Sequence, residues 1–257
     1  MGERTSFTPG TFCWVDLTSP DQDASKAFYS ALFGWEAEDL PMGEDGGVYS
    51  MMKLDGKTVG AISRQNENQT GMPPVWSSYV CVADADSVAN RAKDLGATVH
   101  APPFDVVEAG RLAVLQDPQG AFVMLWQPNQ NRGVELVNTP GAFCWNELHT
   151  PDVEASTHFY GQLFGWALQP FEQSAVPYFI IQNSGRANGG ITEAQEGMPT
   201  AWLVYFAVED INDGLAKVGE LGGDTIVGPI DIGVAKIGIV SDPQGGVFAL
   251  YAGQLDD

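Results

Sequence analysis

Small and apolar side chains are spaced in two distinct ways near the start of the chain. In residues 12–18, small or aliphatic side chains occupy every second position, which predicts a β-strand. In residues 19–33, apolar side chains recur at intervals of three and four, which predicts an amphipathic α-helix. Ser19-Pro20-Asp21 is a typical helix start and Gly34 a typical stop. The chain therefore opens with a strand followed by a helix.

The same reasoning extends along the first half of the chain. After the helix, the pattern predicts three strands, then a further strand, a second helix and three more strands. Asp117-Pro118-Gln119-Gly120 has the composition of a tight turn that joins the last two strands. The order is therefore β-α-β-β-β, written twice. The predicted ranges are 36–40, 48–54, 58–64, 76–82, 84–95 (helix), 98–102, 111–116 and 121–127.

The second half of the chain repeats the first. Residues 10–35 and 141–166 are identical at 15 of 26 positions without a gap. Further matching segments follow in the same order, including a Gly-Met-Pro segment and a second copy of the Asp-Pro-Gln-Gly turn. Such matches identify an internal duplication. We expect one domain in residues 1–128, a polar linker in residues 129–140, and a second domain in residues 141–257.

These motifs resemble the vicinal oxygen chelate superfamily, which includes glyoxalases, bleomycin-resistance proteins and extradiol dioxygenases. The resemblance is carried by Ala27-Phe28-Tyr29 through Leu32-Phe33-Gly34-Trp35, by Asp117-Pro118-Gln119-Gly120 and by their second copies. More narrowly, the chain is similar to tandem-domain actinobacterial members often labelled "hydroxylase". The resemblance implies an α+β fold of two tandem domains. Each would contain paired βαβββ modules that form a curved, cleft-enclosing mixed sheet with helices outside.

The resemblance also bears on metal binding. Metal-dependent members place one His, Glu or Gln ligand in each of four strands. Divalent ions at such sites need imidazole, carboxylate or thiolate donors, and the residues at these positions supply none. We therefore expect no metal and no cofactor. The corresponding positions are Trp14, Ala61, Ser77 and Met124 in the first copy and Trp145, Gly190, Leu203 and Ala249 in the second.

Strand alternation identifies candidate polar residues of the clefts. Cys13, Val15 and Leu17 are expected to pack on the helix, which turns Trp14 and Asp16 to the cleft. A carboxylate beside an aromatic wall can act as a general acid or base. Alternatively, it accepts hydrogen bonds from the backbone or from a tyrosine.

The second copy has a related set of polar residues. The same alternation turns Trp145, Glu147 and His149 to its cleft. Glu147 and His149 could form an acid–base pair, which has no equivalent in the first copy because Thr18 stands there. Asp16, Glu147 and His149 are thus the candidate catalytic residues.

Large aromatic side chains recur at matching positions of the two copies. Such rings in a curved sheet either stack on a planar or apolar ligand or fill the core. Methionine would make such a pocket adaptable. The candidate ligand-binding residues are Trp14, Tyr49, Trp76, Tyr79 and Met124 in the first copy and Trp145, Tyr178, Trp202 and Tyr205 in the second.

Charge and composition narrow the possible partners. The formal net charge is −21, from 33 acidic and 12 basic residues. This balance argues against binding to nucleic acid or anionic membranes. The three cysteines lie in apolar runs and suggest neither a disulfide framework nor a zinc site. We expect a cytoplasmic protein, monomeric or homodimeric, with a small-molecule partner.

Three functions are compatible with these features. The first is metal-independent binding of an aromatic or amphipathic molecule, as in drug resistance. The second is a lyase, isomerase or cofactor-free oxygenase or hydroxylase with Asp16 or Glu147 as general base, or a glyoxalase-like enzyme if a metal is present. The third is a scaffold with vestigial clefts. The sequence favours binding and leaves open whether the protein is an enzyme.

Overall fold

The computed structural model describes residues 2–42, 47–172, 174, 176–195 and 197–255. Each half contains eight strands and two α-helices among these residues, in the predicted order. The first half also has a short 3₁₀ helix, Glu67–Gln69, between its two modules. Its elements are β1 (Phe12–Ser19), α1 (Gln22–Phe33), β2 (Glu36–Pro41), β3 (Val48–Leu54), β4 (Lys57–Arg64), β5 (Val75–Cys81), α2 (Ala85–Asp94), β6 (Thr98–Val106), β7 (Gly110–Gln116) and β8 (Phe122–Pro128).

The second half repeats this order with small changes in length. Its elements are β9 (Phe143–Thr150), α3 (Val153–Phe164), β10 (Ala167–Pro170), β11 (Tyr178–Asn183), β12 (Arg186–Glu193), β13 (Ala201–Ala207), α4 (Ile211–Glu220), β14 (Asp224–Asp231), β15 (Ala235–Ser241) and β16 (Val247–Gly253).

Each half forms one eight-stranded mixed sheet. The first sheet has the strand order β2-β3-β4-β1-β5-β8-β7-β6, and the second has the equivalent order β10-β11-β12-β9-β13-β16-β15-β14. The two modules of a copy meet where β1 pairs with β5 in antiparallel fashion. Both modules therefore belong to the same continuous sheet. The predicted α+β fold with two tandem domains is confirmed.

Local sequence explains where the first helix of each copy begins and ends. The Asp21 carboxylate accepts a hydrogen bond from the Ala24 amide, and Asp152 does the same for Ala155. This satisfies an amide that the first helical turn leaves unpaired. Each helix ends at a glycine with positive φ, 75° at Gly34 in the first copy, a conformation that glycine adopts without steric cost.

A β-bulge changes the predicted alternation at the start of β1. Phe12 pairs with Val80 and Trp14 with Tyr79, so Cys13 is an extra residue between them. Phe12, not Cys13, therefore faces the helix side, and its ring centroid lies 4.9 Å from that of Trp202 in the other domain. The prediction that Cys13 shares a face with Val15 was wrong, because a bulge shifts the period of two by one residue.

The motifs that are repeated in the two copies join the domains to each other. The Tyr29 hydroxyl donates to Asp242 Oδ2 at 2.9 Å, and the Tyr160 hydroxyl donates to Asp117 Oδ2 at 2.8 Å. Both tyrosines are fully buried. The Asp-Pro-Gln-Gly turn of each copy therefore receives a hydrogen bond from the first helix of the other.

The segment between the sheets packs on the first domain. The Val134 amide donates to the Cys13 carbonyl at 2.9 Å, and the Glu135 amide donates to the Thr58 carbonyl at 2.7 Å. The Trp126 indole donates to the Asn131 carbonyl. In the part of the chain that the structure describes, no helix has the length and apolar character needed to cross a membrane.

Candidate functional site

The face of each sheet that lies opposite its helices is here named the cleft face. In the first domain, β1, β5 and β8 turn Trp14, Tyr79 and Met124 to this face, because the residues are partners across the strands. Asp16 lies two residues beyond Trp14, opposite Ser77, and so points the same way. Strand register therefore brings together four of the predicted residues: Trp14, Asp16, Tyr79 and Met124.

Asp16 lies at the centre of a hydrogen-bonded cluster on the first cleft face. Its Oδ2 atom accepts hydrogen bonds from the hydroxyls of Tyr79 at 2.7 Å and Tyr49 at 2.9 Å. The Trp14 indole in turn donates to the Tyr49 hydroxyl at 3.0 Å. Burial raises the pKa of Asp16, and hydrogen bonds from Tyr79, Tyr49 and Ser77 offset this only in part. The tyrosine-bonded alternative for Asp16 is thus present in the structure.

The second cleft face repeats this cluster around Glu147. The Tyr178 hydroxyl donates to Oε2 and the Tyr205 hydroxyl to Oε1, each at 2.7 Å. The Trp145 indole donates to the Tyr178 hydroxyl at 3.1 Å. Both copies therefore hold one carboxylate between two tyrosine hydroxyls, one of which also accepts a hydrogen bond from a tryptophan indole.

His149 distinguishes the second cluster from the first. Its Nε2 atom lies 3.0 Å from Glu147 Oε1, within ion-pair distance, although the contact lacks hydrogen-bond geometry. Burial would raise the pKa of Glu147, but His149 and the hydroxyls of Tyr178 and Tyr205 outweigh burial and hold the pKa below its ordinary value. The two carboxyls thus have pKa values shifted in opposite directions.

Large apolar side chains remain exposed on the cleft faces. Leu40, Phe104 and Phe122 of the first domain expose 43%, 45% and 45% of their surface, and Ile230 and Val247 of the second expose 43% and 40%. Across the strands, Phe122 pairs with Gln116 and Phe104 pairs with Leu112. These positions continue the alternation that turns Met124 to the cleft face, so both rings lie on that face. Sequence analysis missed these residues, although continuing the alternation from Met124 along β8 identifies Phe122.

A separate apolar cluster lies beside Glu147 in the second domain. It is distinct from the main core that unites the helices and both sheets. Trp145 packs on its edge. Tyr205 therefore contributes both to this apolar surface and, through its hydroxyl, to the carboxylate cluster. The buried members are Leu203, Tyr205, Ile239 and Ala249.

Trp76 and Trp202 lie instead on the helix side of their sheets. Trp76 is the partner of Leu17, not of Asp16, and its indole donates to the Tyr29 hydroxyl at 2.9 Å. Trp202 donates to the Tyr160 hydroxyl at 3.0 Å in the same way. Both indoles are buried in the core between the domains. Each lies three positions before the cleft-face tyrosine on its own strand, and an odd offset along a strand turns a side chain to the opposite face.

The positions that correspond to metal ligands do not fit a metal ion. The eight positions carry only indole, methyl, hydroxyl, thioether and aliphatic side chains, or the hydrogen atom of glycine. At Gly190 the space is also taken, because a Cβ atom there would lie 2.1 Å from the Tyr178 hydroxyl oxygen. Among the described residues, no three His, Cys, Asp or Glu side chains come together as a metal site would require. Glu147 and His149 supply only two such donors.

A groove of about 390 Å³ lies elsewhere, between the domains. Asp94, Asp117 and His158 are among the residues that line it. Its buried carboxylate, Asp117, already accepts the hydrogen bond that Tyr160 donates across the domain interface, and among its lining residues none is a large apolar side chain that is exposed. We therefore place the candidate site on the cleft faces.

Family models and relatives agree with the fold. Residues 11–125 match the model of the Glyoxalase/Bleomycin resistance protein/Dioxygenase superfamily, and residues 143–176 match the model of the Bleomycin resistance protein-like N-terminal. "Putative glyoxylase CFP32" of Mycobacterium tuberculosis is 40% identical over 254 residues, which cover 97% of each chain. "Anthracycline biosynthesis protein DnrV" of Streptomyces peucetius is 34% identical over 263 residues, covering 96% of this chain and 94% of the relative.

Solved structures share the arrangement of both domains. The Mn(II)-bound glyoxalase from Novosphingobium aromaticivorans aligns with a TM-score of 0.66 at 17% identity, covering 98% of this chain and 83% of that one. The 2,2',3-trihydroxybiphenyl 1,2-dioxygenase from Sphingomonas wittichii strain RW1 aligns with a TM-score of 0.65 at 12% identity, covering 97% and 92%. These two matches show the fold, and the family models and the relatives of 40% and 34% identity show that the chain belongs to the glyoxalase, bleomycin resistance protein and dioxygenase superfamily.

Proposed function

We propose that the protein binds a small aromatic or amphipathic molecule on its cleft faces without the help of a metal ion. The observation that carries the proposal is the pairing of exposed apolar side chains with a buried carboxylate–tyrosine cluster, which occurs in both copies. An apolar surface with a few convergent polar groups is the usual composition of a ligand site.

Metal-independent binding is supported by the packing beside one of the positions that correspond to metal ligands. In the second copy, the Tyr178 hydroxyl fills the space beside Gly190 and donates to Glu147 at 2.7 Å. The cluster therefore offers hydrogen bonds where a metal-dependent relative offers a cation. Ligand recognition then depends on stacking, apolar contact and hydrogen bonds.

The relatives suggest the chemical class of the ligand. Two of them are named for anthracycline biosynthesis, which is consistent with a planar aromatic ligand. A flat, largely uncharged molecule also suits the strongly acidic protein, whose net charge of −21 repels anions.

Titration of chelator-treated protein with anthraquinone tests the proposal, with quenching of tryptophan fluorescence as the signal. We expect saturable binding that the double variant Phe122→Ser/Val247→Ser weakens at least about tenfold, because one apolar side chain stabilises a contact by ~1.5–3 kcal/mol. Val107→Ser is the control, since Val107 is 90% exposed at the β6–β7 turn. Absence of binding, or equal loss in the control, would contradict the proposal.

A second candidate is an enzyme, namely a lyase, isomerase or cofactor-free oxygenase that uses Glu147 or Asp16 as base. The 3.0 Å contact between Glu147 and His149 favours this reading for the second cleft. Recovery of the bound ligand distinguishes the two candidates. A binding protein returns it unchanged, and Glu147→Gln then alters affinity modestly. An enzyme returns a product, and the same change abolishes the rate.

A further inference from the structure

The centre of the cleft face is more open in the first domain than in the second. Strand register matches three central positions of the two domains. In the second domain the residues at all three positions are buried, with 8% of their surface or less exposed, whereas in the first domain all three are half-buried. The matched pairs are Ser77 and Leu203, Val114 and Ile239, and Met124 and Ala249.

A methionine from a loop accounts for the closed centre of the second cleft. Met198 belongs to the Gly-Met-Pro segment of the second copy, residues 197–199, and packs against the apolar cluster of the second domain. Met72 is its counterpart in the first copy, and 57% of its surface is exposed. The second cleft is therefore covered at its centre by a side chain of the protein itself, whereas the equivalent side chain of the first copy lies mostly in water.

Met124 does not close the first cleft in the same way, although it is larger than its counterpart Ala249. If Met124 filled the place that Met198 fills in the second cleft, its neighbours would be as buried as the matched residues there. Ser77, Val114 and Met124 itself are all only half-buried. Because methionine adapts its shape to what it contacts, Met124 forms an adaptable wall of an open cleft.

The groups at the open centre indicate the chemistry of the ligand. Ser77 is the strand partner of Asp16, and its hydroxyl can donate or accept a hydrogen bond, whereas Leu203 at the matched position can do neither. Phe122, with 45% of its surface exposed, adds an aromatic ring on the same face. The net charge of −21 disfavours anions. These features suit an uncharged, planar aromatic molecule that carries a hydroxyl or carbonyl group.

The two clefts are therefore not equivalent as binding sites. A ligand that entered the second cleft would have to displace Met198 and uncover the apolar surface beneath it, which costs the free energy of that burial. Building on the proposed function, we propose that the first cleft is the ligand site of the chain and that Met198 closes the second cleft. The protein then binds one uncharged aromatic molecule with a hydroxyl or carbonyl group per chain.

Calorimetric titration with 2-naphthol tests the proposal, because this probe is an uncharged aromatic molecule with one hydroxyl. We expect the wild-type protein to bind one molecule per chain. Met198→Ser, which shortens the side chain over the second cleft, should bind a second molecule. Met72→Ser is the matched control, since it removes the equivalent methionine from a position where that side chain is mostly exposed, and it should still bind one molecule.

Nuclear magnetic resonance of ¹³C-labelled methionine methyl groups locates the probe in the wild-type protein. The chain has seven methionines, and the variants Met124→Leu and Met198→Leu assign two of the signals. A bound aromatic ring shifts the signals of nearby methyl groups, so we expect 2-naphthol to shift the signal of Met124 and to leave that of Met198 in place.

The possible failures of this proposal and of the proposed function are distinguishable. Two equal sites in the wild type, or a shift of the Met198 signal alone, would overturn the assignment of the first cleft while aromatic binding stands. A single site in Met198→Ser would overturn the closing role of Met198. Absence of 2-naphthol binding would overturn the proposed function as well.

Discussion

Replacing Gly190 by alanine perturbs the carboxylate cluster of the second cleft directly. The added Cβ atom would lie 2.1 Å from the Tyr178 hydroxyl oxygen and 2.6 Å from the ring carbon that bears it. The rigid ring must therefore tilt away from Gly190. That movement breaks its hydrogen bond to Glu147 at 2.7 Å and the one it accepts from Trp145 at 3.1 Å.

The expected loss of stability follows from these two bonds. Leaving a buried donor or acceptor unpaired costs about 1–3 kcal/mol, and more for a charged group. Trp145 and Tyr178 are partly buried and regain some contact with water, so we expect the free energy of unfolding to fall by about 2–4 kcal/mol. Urea denaturation followed by fluorescence and circular dichroism measures this change.

The chain provides a control for the substitution itself. Gly219 lies in helix α4, and a Cβ atom there meets nothing within 4 Å. Gly219→Ala should therefore leave the free energy of unfolding unchanged or raise it by up to about 1 kcal/mol, because alanine favours a helix. Gly190→Ala protein that is as stable as the wild type would refute the proposed packing of Tyr178.

Three further predictions concern the interdomain contacts, the carboxyls and metal removal. Tyr160→Phe should lower the free energy of unfolding in urea by about 1–3 kcal/mol, because it unpairs Asp117 Oδ2 and the Trp202 indole; an unchanged value would contradict this role. The pKa of Asp16 is raised in the folded protein and that of Glu147 is lowered, so the two carboxyls change the free energy of unfolding with pH in opposite directions. As pH rises from about 3 to about 7, wild type should lose stability relative to Asp16→Asn and gain stability relative to Glu147→Gln. If urea denaturation showed the same direction of change with pH against both variants, the opposite pKa shifts of Asp16 and Glu147 would be contradicted. Dialysis against a chelator should leave the thermal midpoint unchanged, and a drop of several degrees that Mn²⁺ restores would argue for a structural metal.

Much of the fold was predictable from the sequence because the duplication doubles the evidence for every element. The 15 identities between residues 10–35 and 141–166 revealed the repeat, and the capping residues marked the helices. Alternation in β1 and β9 placed Asp16 and Glu147 on the cleft faces. It failed at Cys13, because a bulge leaves no clear mark in a single sequence.

Other features depended on contacts between distant parts of the chain. Trp76 and Trp202 are aromatic and repeated, as cleft residues would be, but register with β1 and β9 turns them to the core between the domains. The hydrogen bond from Tyr29 to Asp242 spans 213 residues, and no local pattern predicts it. The same is true of the tyrosine hydroxyls that converge on each carboxylate.

Metal analysis of the protein, purified without chelators, tests the central claim most directly. Mass spectrometry should find transition metals well below one equivalent per domain, while the same sample binds an aromatic probe. One stoichiometric metal ion per domain, with probe binding lost when that ion is removed, would contradict metal-independent recognition.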